Sequence, residues 1–80
     1  MADEQSQWEM VPIDGSTLIA EVGFNAETHQ GRVTFAKNGS VYEYDGCTRE
    51  EFDAIAQGAS AGETFIALWR TAKPYRKVLG

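Results

Sequence analysis

Few side chains in this sequence could carry out covalent chemistry. The single cysteine, Cys47, comes just before a predicted helix start, where the helix dipole would favour the thiolate. The single histidine, His29, lies eighteen residues upstream in a polar loop, so no neighbouring base is predicted for the thiol. We therefore expect Cys47 to be a structural or simply exposed residue and not a nucleophile.

Metal sites and acid–base pairs are equally poorly supported. One cysteine allows no internal disulfide and none of the recurrent zinc patterns. The adjacent Glu50 and Glu51 fit the first turn of a helix, where carboxylates complement the macrodipole. No ligand spacing relates the other acids and the histidine, which are Asp3, Glu4, Asp14, Glu27 and His29. We expect that the protein is not an enzyme and that it binds no metal, no cofactor and no small-molecule substrate.

Two tyrosines in the motif Tyr42-Glu43-Tyr44 allow two interpretations. Two phenol rings on one sheet face could form a platform for stacking nucleic-acid bases. Alternatively, both rings pack beneath helices as part of the core. We favour the core, because a stacking platform needs flanking cations and the nearest are only Arg32 and Lys37.

Residues 69–77 are the segment best suited to binding, because they interleave aromatic rings with cations. That composition serves phosphate contacts combined with base stacking. The alternative is that Trp69 and Tyr75 anchor the core while the cations neutralise residues 1–69, which we call the acidic body. The candidate contacts with nucleic acid or a protein partner are Arg70, Lys73, Tyr75, Arg76 and Lys77.

The charge distribution is asymmetric. Residues 1–69 hold all twelve acids against three cations, a net charge of −9, whereas residues 70–80 carry +4. The body should repel polyanions and the C-terminal segment should attract them. The sequence contains no apolar run of membrane-spanning length and its first residues are acidic, so we expect a cytoplasmic protein without a signal peptide.

The clearest local structure is a β-hairpin over residues 32–45. Asn38-Gly39 is typical of a two-residue type I′ turn, because both central positions need positive φ. That turn predicts the cross-strand pairs Phe35–Tyr42, Val33–Tyr44 and Arg32–Asp45, with the aromatic and aliphatic residues on one face.

Other strands flank the hairpin. Alternating apolar residues predict a strand over 17–24, which with 31–37 and 40–45 makes an antiparallel meander. Residues 8–13 contain Pro12 and fit an edge strand or an extended arm. Residues 75–79 return as an extended segment, and residues 1–7 form a disordered acidic leader.

Two short helices are predicted between residues 48 and 73. Thr48-Arg49-Glu50-Glu51 and Ser60-Ala61-Gly62-Glu63 both fit the capping-box pattern, and each is followed by an apolar stripe at helical spacing. Residues 8–80 are thus one α+β domain, a three- to four-stranded antiparallel β-meander with two short helices packed on one face. Its predicted aromatic core is Phe35, Tyr42, Tyr44, Phe52, Phe65 and Trp69.

In this order the elements resemble the KTSC domain, a family named for its place at the C-terminus of some lysyl-tRNA synthetases. The match covers roughly residues 10–78. No single motif in it is specific, but the order and spacing of the motifs together are convincing. They are Ser16-Thr17-Leu18-Ile19, Val22-Gly23-Phe24-Asn25, Val33-x-Phe35, Asn38-Gly39-x-x-Tyr42-x-Tyr44, Phe52, Ser60-x-Gly62-x-x-Phe65 and Pro74-Tyr75.

The resemblance implies a small β-meander with helices, found attached to other domains and as free-standing bacterial and phage proteins. It implies no established activity. RNA binding is suggested mainly by the occurrence of the domain in some lysyl-tRNA synthetases. The acidic body argues against RNA here. We therefore expect a non-enzymatic interaction domain whose acidic body offers a surface to a basic protein partner, by analogy a phage-type inhibitor of a host system. An RNA-binding module that uses the basic, aromatic C-terminal segment is the alternative.

Overall fold

Five antiparallel strands form one sheet in the order β1-β2-β3-β4-β5. The computed structural model describes residues 8–58 and 60–79, so the predicted leader over residues 1–7 lies outside the described residues. The strands are β1 (Trp8–Pro12), β2 (Ile19–Asn25), β3 (Gln30–Phe35), β4 (Val41–Asp45) and β5 (Tyr75–Leu79). The predicted α+β meander is confirmed, with five strands instead of three or four because both flanking segments pair as edges.

The loop of the central hairpin differs from the predicted two-residue turn. It spans four residues, 36–39, because the Phe35 amide donates to the Ser40 carbonyl and closes the loop there. Gly39 takes a φ of +75° but Asn38 does not have a positive φ, so the turn is not type I′. Instead, the Asn38 side-chain oxygen accepts a hydrogen bond from the Ser40 amide at 3.0 Å.

The longer loop moves the hairpin register by two residues. Val33 pairs with Tyr42 and Arg32 pairs with Glu43, so the predicted Phe35–Tyr42, Val33–Tyr44 and Arg32–Asp45 pairs are all wrong. Side chains alternate with a period of two, and a shift of two therefore leaves every residue on its predicted face. The apolar face of the hairpin is as predicted although its pairs are not.

The helices follow the sheet. Helix α1 (Arg49–Gln57) begins with the predicted capping box, in which Thr48 and Glu51 exchange side-chain to backbone hydrogen bonds. The second predicted box is wrong, because the Ser60 side chain makes no capping hydrogen bond. Helix α2 (Ala61–Phe65) continues as a π-helical segment (Ile66–Arg70), and Pro74 then leads into β5.

The core lies between the helices and one face of the sheet. Trp69 is fully buried, and its indole ring lies against Gly31 so closely that a β-carbon at Gly31 would overlap it. Four of the six predicted core aromatics are buried, whereas Phe35 and Tyr42 are only half-buried. The buried four are Tyr44, Phe52, Phe65 and Trp69.

Candidate functional site

A groove opens on the helix-facing side of the sheet, beyond the part that α2 and the π-helical segment cover. Its volume is about 450 Å³. We call it the aromatic groove, and its lining residues are Thr17, Leu18, Phe35, Lys37, Asn38, Ser40, Tyr42, the edge of the buried Tyr44, Arg70, Tyr75 and Lys77. The hairpin, the π-helical segment and β5 therefore all contribute to one surface.

Aromatic rings in edge and tilted contact form the base of this groove. Phe35 and Tyr42 meet edge to face with ring centroids 5.3 Å apart. Tyr75 packs on Tyr42 at 5.8 Å and on Tyr44 at 5.6 Å, yet 59% of its surface remains exposed. The expectation that Tyr75 is a core anchor is wrong. It rests on the core and presents most of its surface to the groove and to solvent.

The cations of the protein divide into two groups. Arg32, Arg49, Lys73 and Arg76 each form an ion pair with a carboxylate. The other three line the aromatic groove, and within residues 8–58 and 60–79 no carboxylate lies within 4 Å of them. They are Lys37, Arg70 and Lys77. No acidic residue is among those lining the groove, so its local charge opposes the net charge of −5.

Two of the predicted contact residues have structural partners instead. Lys73 donates to the Gly46 carbonyl at 2.8 Å and pairs with Glu51 at 3.2 Å. Arg76 points to the opposite face of the sheet, where it pairs with Glu43 at 3.1 Å and with Asp45 at 3.3 Å. The structure thus brings Arg70, Tyr75 and Lys77 together and leaves Lys73 and Arg76 out of the groove.

Lys37 is the groove cation that was not predicted as a contact residue, although the sequence analysis named it among the cations nearest to the Tyr42-Glu43-Tyr44 motif. It lies in the four-residue hairpin loop, and the two-residue turn would have made it part of a strand. Its place beside β5 depends on the sheet order, which joins β4 to the last strand of the chain. An unpaired cation at a hairpin tip is the only sequence signal, and it is a weak one.

Cys47 is a buried side chain. It is 1% exposed, its thiol donates to the Tyr44 carbonyl at 3.5 Å, and burial raises its pKa to about 11. Burial likewise raises the pKa of Tyr44 to about 12. His29 lies in the exposed β2–β3 turn, where it takes a φ of 57°.

Neither metal ligation nor a membrane span is seen in the described part of the chain. Within residues 8–58 and 60–79, no three His, Cys, Asp or Glu side chains are grouped so as to hold a metal ion. The described helices are also too short and too polar to cross a membrane.

Glu51 links the start of α1 to the end of the π-helical segment. Its carboxylate accepts from the Thr48 amide at 3.0 Å and from the Trp69 indole at 3.3 Å, besides pairing with Lys73. Partial burial acts against the charged form, but these donors together hold the pKa of Glu51 below its ordinary value. The capping box predicted only the first of these contacts.

A second cavity, of about 580 Å³, lies where the β1–β2 loop meets the start of α2. Ser16 and Gly62 both line it, and a β-carbon at Gly62 would be in contact with Leu18 and Ser16. The Ser16 hydroxyl accepts hydrogen bonds from the Leu18 and Ile19 amides, both at 3.2 Å. These loop contacts fix the start of β2. No Lys or Arg is among the residues that line this cavity.

The family is settled by a sequence comparison. The model of the KTSC domain family matches residues 15–67, which is more than half of the chain. The chain belongs to the KTSC domain family. The matched range includes the hairpin, α1 and α2, but it ends before Arg70, Tyr75 and Lys77 of the aromatic groove.

A solved KTSC structure shows the same fold. The crystal structure of a KTSC domain protein from Yersinia pestis superimposes with a TM-score of 0.79 at 20% identity and covers 89% of this chain and 97% of that one. This likeness concerns the fold alone. No curated protein matches the sequence.

Proposed function

We propose that this KTSC protein is a non-catalytic interaction domain that binds a protein partner through the aromatic groove. One observation supports the proposal above all. In a protein with a net charge of −5, the three cations without a carboxylate within 4 Å in the described residues line a single groove, beside the exposed Tyr75. Aromatic anchors beside uncompensated cations are typical of binding surfaces.

The small number of these cations favours a protein partner over a polyanion. A nucleic acid carries charge along its whole length and would also meet other surfaces of a protein whose net charge is −5. A protein segment need place only two or three acidic side chains near Lys37, Arg70 and Lys77. Docking of a basic partner on the acidic body, and inhibition of a host system, stay predictions that no described residue tests.

Photo-crosslinking can test the protein partner. We would incorporate benzoylphenylalanine at Tyr75 in cells that naturally contain the protein, with Glu27 in the exposed β2–β3 turn as the control position. The expected result is a discrete protein adduct at position 75, absent at position 27. The adduct should disappear in the triple variant Lys37→Gln, Arg70→Gln, Lys77→Gln. Equal adducts at both positions, or persistence in the triple variant, would refute the proposal.

Single-stranded RNA is the second candidate, because the exposed Tyr75 could stack on a base while the three cations contact phosphates. Three phosphate contacts allow a log–log salt slope of only about −2. We therefore predict binding no tighter than about micromolar to mixed-sequence RNA at physiological salt. Fluorescence anisotropy with a labelled RNA measures this, and nanomolar binding that the triple variant abolishes would put RNA first.

A further inference from the structure

We propose that the partner contributes an extended acidic segment that adds to the free edge of β5 as a sixth strand. The inference rests on the proposed function and specifies its binding mode. β5 pairs with β4 on one side, and none of the described residues pairs along its other side.

The backbone groups at this edge can be assigned from the ladder. The Asp45 amide donates to the Pro74 carbonyl at 3.0 Å, which makes that pair a hydrogen-bonded one. Antiparallel pairs alternate, so Glu43–Arg76 is the next hydrogen-bonded pair along the ladder. The ladder shifts register only beyond the Tyr42–Lys77 pair. The amides of Tyr75 and Lys77 and the carbonyl of Tyr75 consequently point away from β4, towards the open edge.

The same two residues line the aromatic groove with their side chains. A strand added at the edge would lie about 4.8 Å from β5. Every second side chain of that strand would stand beside Tyr75 or Lys77, at the open side of the groove. Backbone pairing and side-chain contacts would therefore use one continuous surface.

The charges on the two faces of β5 select the added segment. On the groove face, Lys77 is accompanied by Arg70 and Lys37, which favours acidic side chains at alternate positions. On the opposite face, Arg76 is already neutralised by two carboxylates, and Val78 is 42% exposed. Small apolar side chains suit that face, so the predicted segment alternates acidic and apolar residues.

Charge also argues against a second copy of this chain as the occupant. Two β5 strands paired antiparallel would bring the Lys77 side chains of both copies close together, and the repulsion between these like charges costs free energy. The other sheet edge, β1, ends in Pro12 and lacks one backbone donor. Lysine at a sheet edge discourages non-specific pairing, whereas an acidic strand would neutralise it.

The test uses a capped peptide of sequence TEVEVEVT on the full chain, with TKVKVKVT as the charge-reversed control. Backbone amide hydrogen exchange is followed by NMR with and without saturating peptide. We expect the Tyr75 and Lys77 amides to exchange at least about tenfold more slowly in the complex, because they become hydrogen-bonded. The Arg76 amide should already be protected in the free protein.

Affinity supplies the second readout. Lys77→Gln should weaken binding of the acidic peptide by about two- to fivefold, the range for exposed ion pairs. Arg49→Gln is the matched control, because it makes the same charge change on α1, outside the groove. Equal binding of the lysine peptide, or no binding of the acidic one, would overturn the inference.

The outcomes separate this inference from the proposed function. If Lys77→Gln weakens binding but the Tyr75 and Lys77 amides stay unprotected, the partner uses side chains only. Strand addition is then wrong while the groove remains the binding surface. If the amides become protected but the affinity is the same in Lys77→Gln and in the wild type, the acidic specificity is wrong. A dimer seen by light scattering without peptide would make a second copy the occupant.

Discussion

Tyr44 and Tyr42 stand two residues apart on β4 and point to the same side of the sheet, yet their surroundings differ. Tyr44 is 2% exposed and packs against Phe65 at 5.4 Å and Trp69 at 6.0 Å. Tyr42 is half-buried, and its aromatic neighbours are Phe35 and Tyr75. The helical layer covers the first tyrosine and leaves the second at the groove.

The two regions also treat charge differently. Beneath the helix ends, Lys73 and the Trp69 indole are both bound by Glu51, so a cation and a buried donor are compensated. In the groove, Arg70 and Lys77 have no carboxylate within 4 Å among the described residues. One sheet face thus holds a compensated core and, along the same strand, a surface whose cations have no carboxylate partner among the described residues.

Truncating the two tyrosines should show the largest difference between the regions. Tyr44→Ala removes a buried ring and should cost about 3–5 kcal/mol of unfolding free energy. Tyr42→Ala removes a half-buried ring and should cost only about 1–2 kcal/mol. Urea denaturation of both variants measures this. Equal losses would mean that the helices protect both rings alike.

Gly31→Ala should disturb the covered region by a smaller amount. A β-carbon there meets the buried Trp69 ring, which has no room to move, so we expect a loss of about 1–3 kcal/mol. Gly23→Ala is the matched control, because its β-carbon overlaps only the flexible end of the half-buried Met10 and lies at an ordinary contact distance of 3.4 Å from the Glu9 carbonyl. Thermal unfolding and the fluorescence maximum of the tryptophans should change for Gly31→Ala alone. An unchanged midpoint would show that the indole can shift.

Glu51→Gln should make a smaller, pH-dependent difference. Because the pKa of Glu51 is lowered in the folded protein, its stabilisation is fully present above the ordinary value of 4.5 and is lost as the pH falls through the lowered pKa. The variant should be less stable by about 1 kcal/mol at neutral pH. That difference should shrink as the pH falls from neutral to well below 4.5. Urea midpoints across this range test it, with the exposed Glu50→Gln as control. A gap that persists at low pH would contradict the assignment.

The smallest stability effect is expected in the groove. Arg70→Gln and Lys77→Gln should each change the unfolding free energy by less than about 0.5 kcal/mol, since both side chains are exposed and no ion pair within the described residues is lost. Differential scanning calorimetry measures this, with Lys73→Gln as a comparison that does break an ion pair. A loss as large as that of Lys73→Gln would place these cations in the structural group.

The faces of the strands could be predicted from the sequence, but the hairpin register could not. Alternation fixes which side chains point to the core, and it is unchanged when the register moves by two residues. Asn38-Gly39 suits a two-residue turn, yet the Asn38 side chain also closes a four-residue loop by accepting from Ser40. Local sequence is compatible with both, and packing of the whole sheet decides between them.

The groove could be predicted only in part. Its C-terminal residues were singled out by composition, but composition does not show which of them β5 turns towards the groove. Arg76 and Lys77 are neighbours in the sequence and lie on opposite faces, so only one lines the groove. Lys73 does not line the groove, because it forms an ion pair with Glu51, twenty-two residues earlier in the chain. Such long-range pairings have no signature in a single sequence.

The ion pairs of Arg76 also influence which side chains of β5 face the groove and which face the opposite side of the sheet. A slip of β5 by one residue would turn Tyr75 and Lys77 to the opposite face of the sheet and carry Arg76 into the groove. That slip would separate Arg76 from Glu43 and Asp45 and leave Glu43, which is 8% exposed, without one of its two cations. Three charged groups outside the groove, Arg76, Glu43 and Asp45, therefore favour the observed register of the last strand.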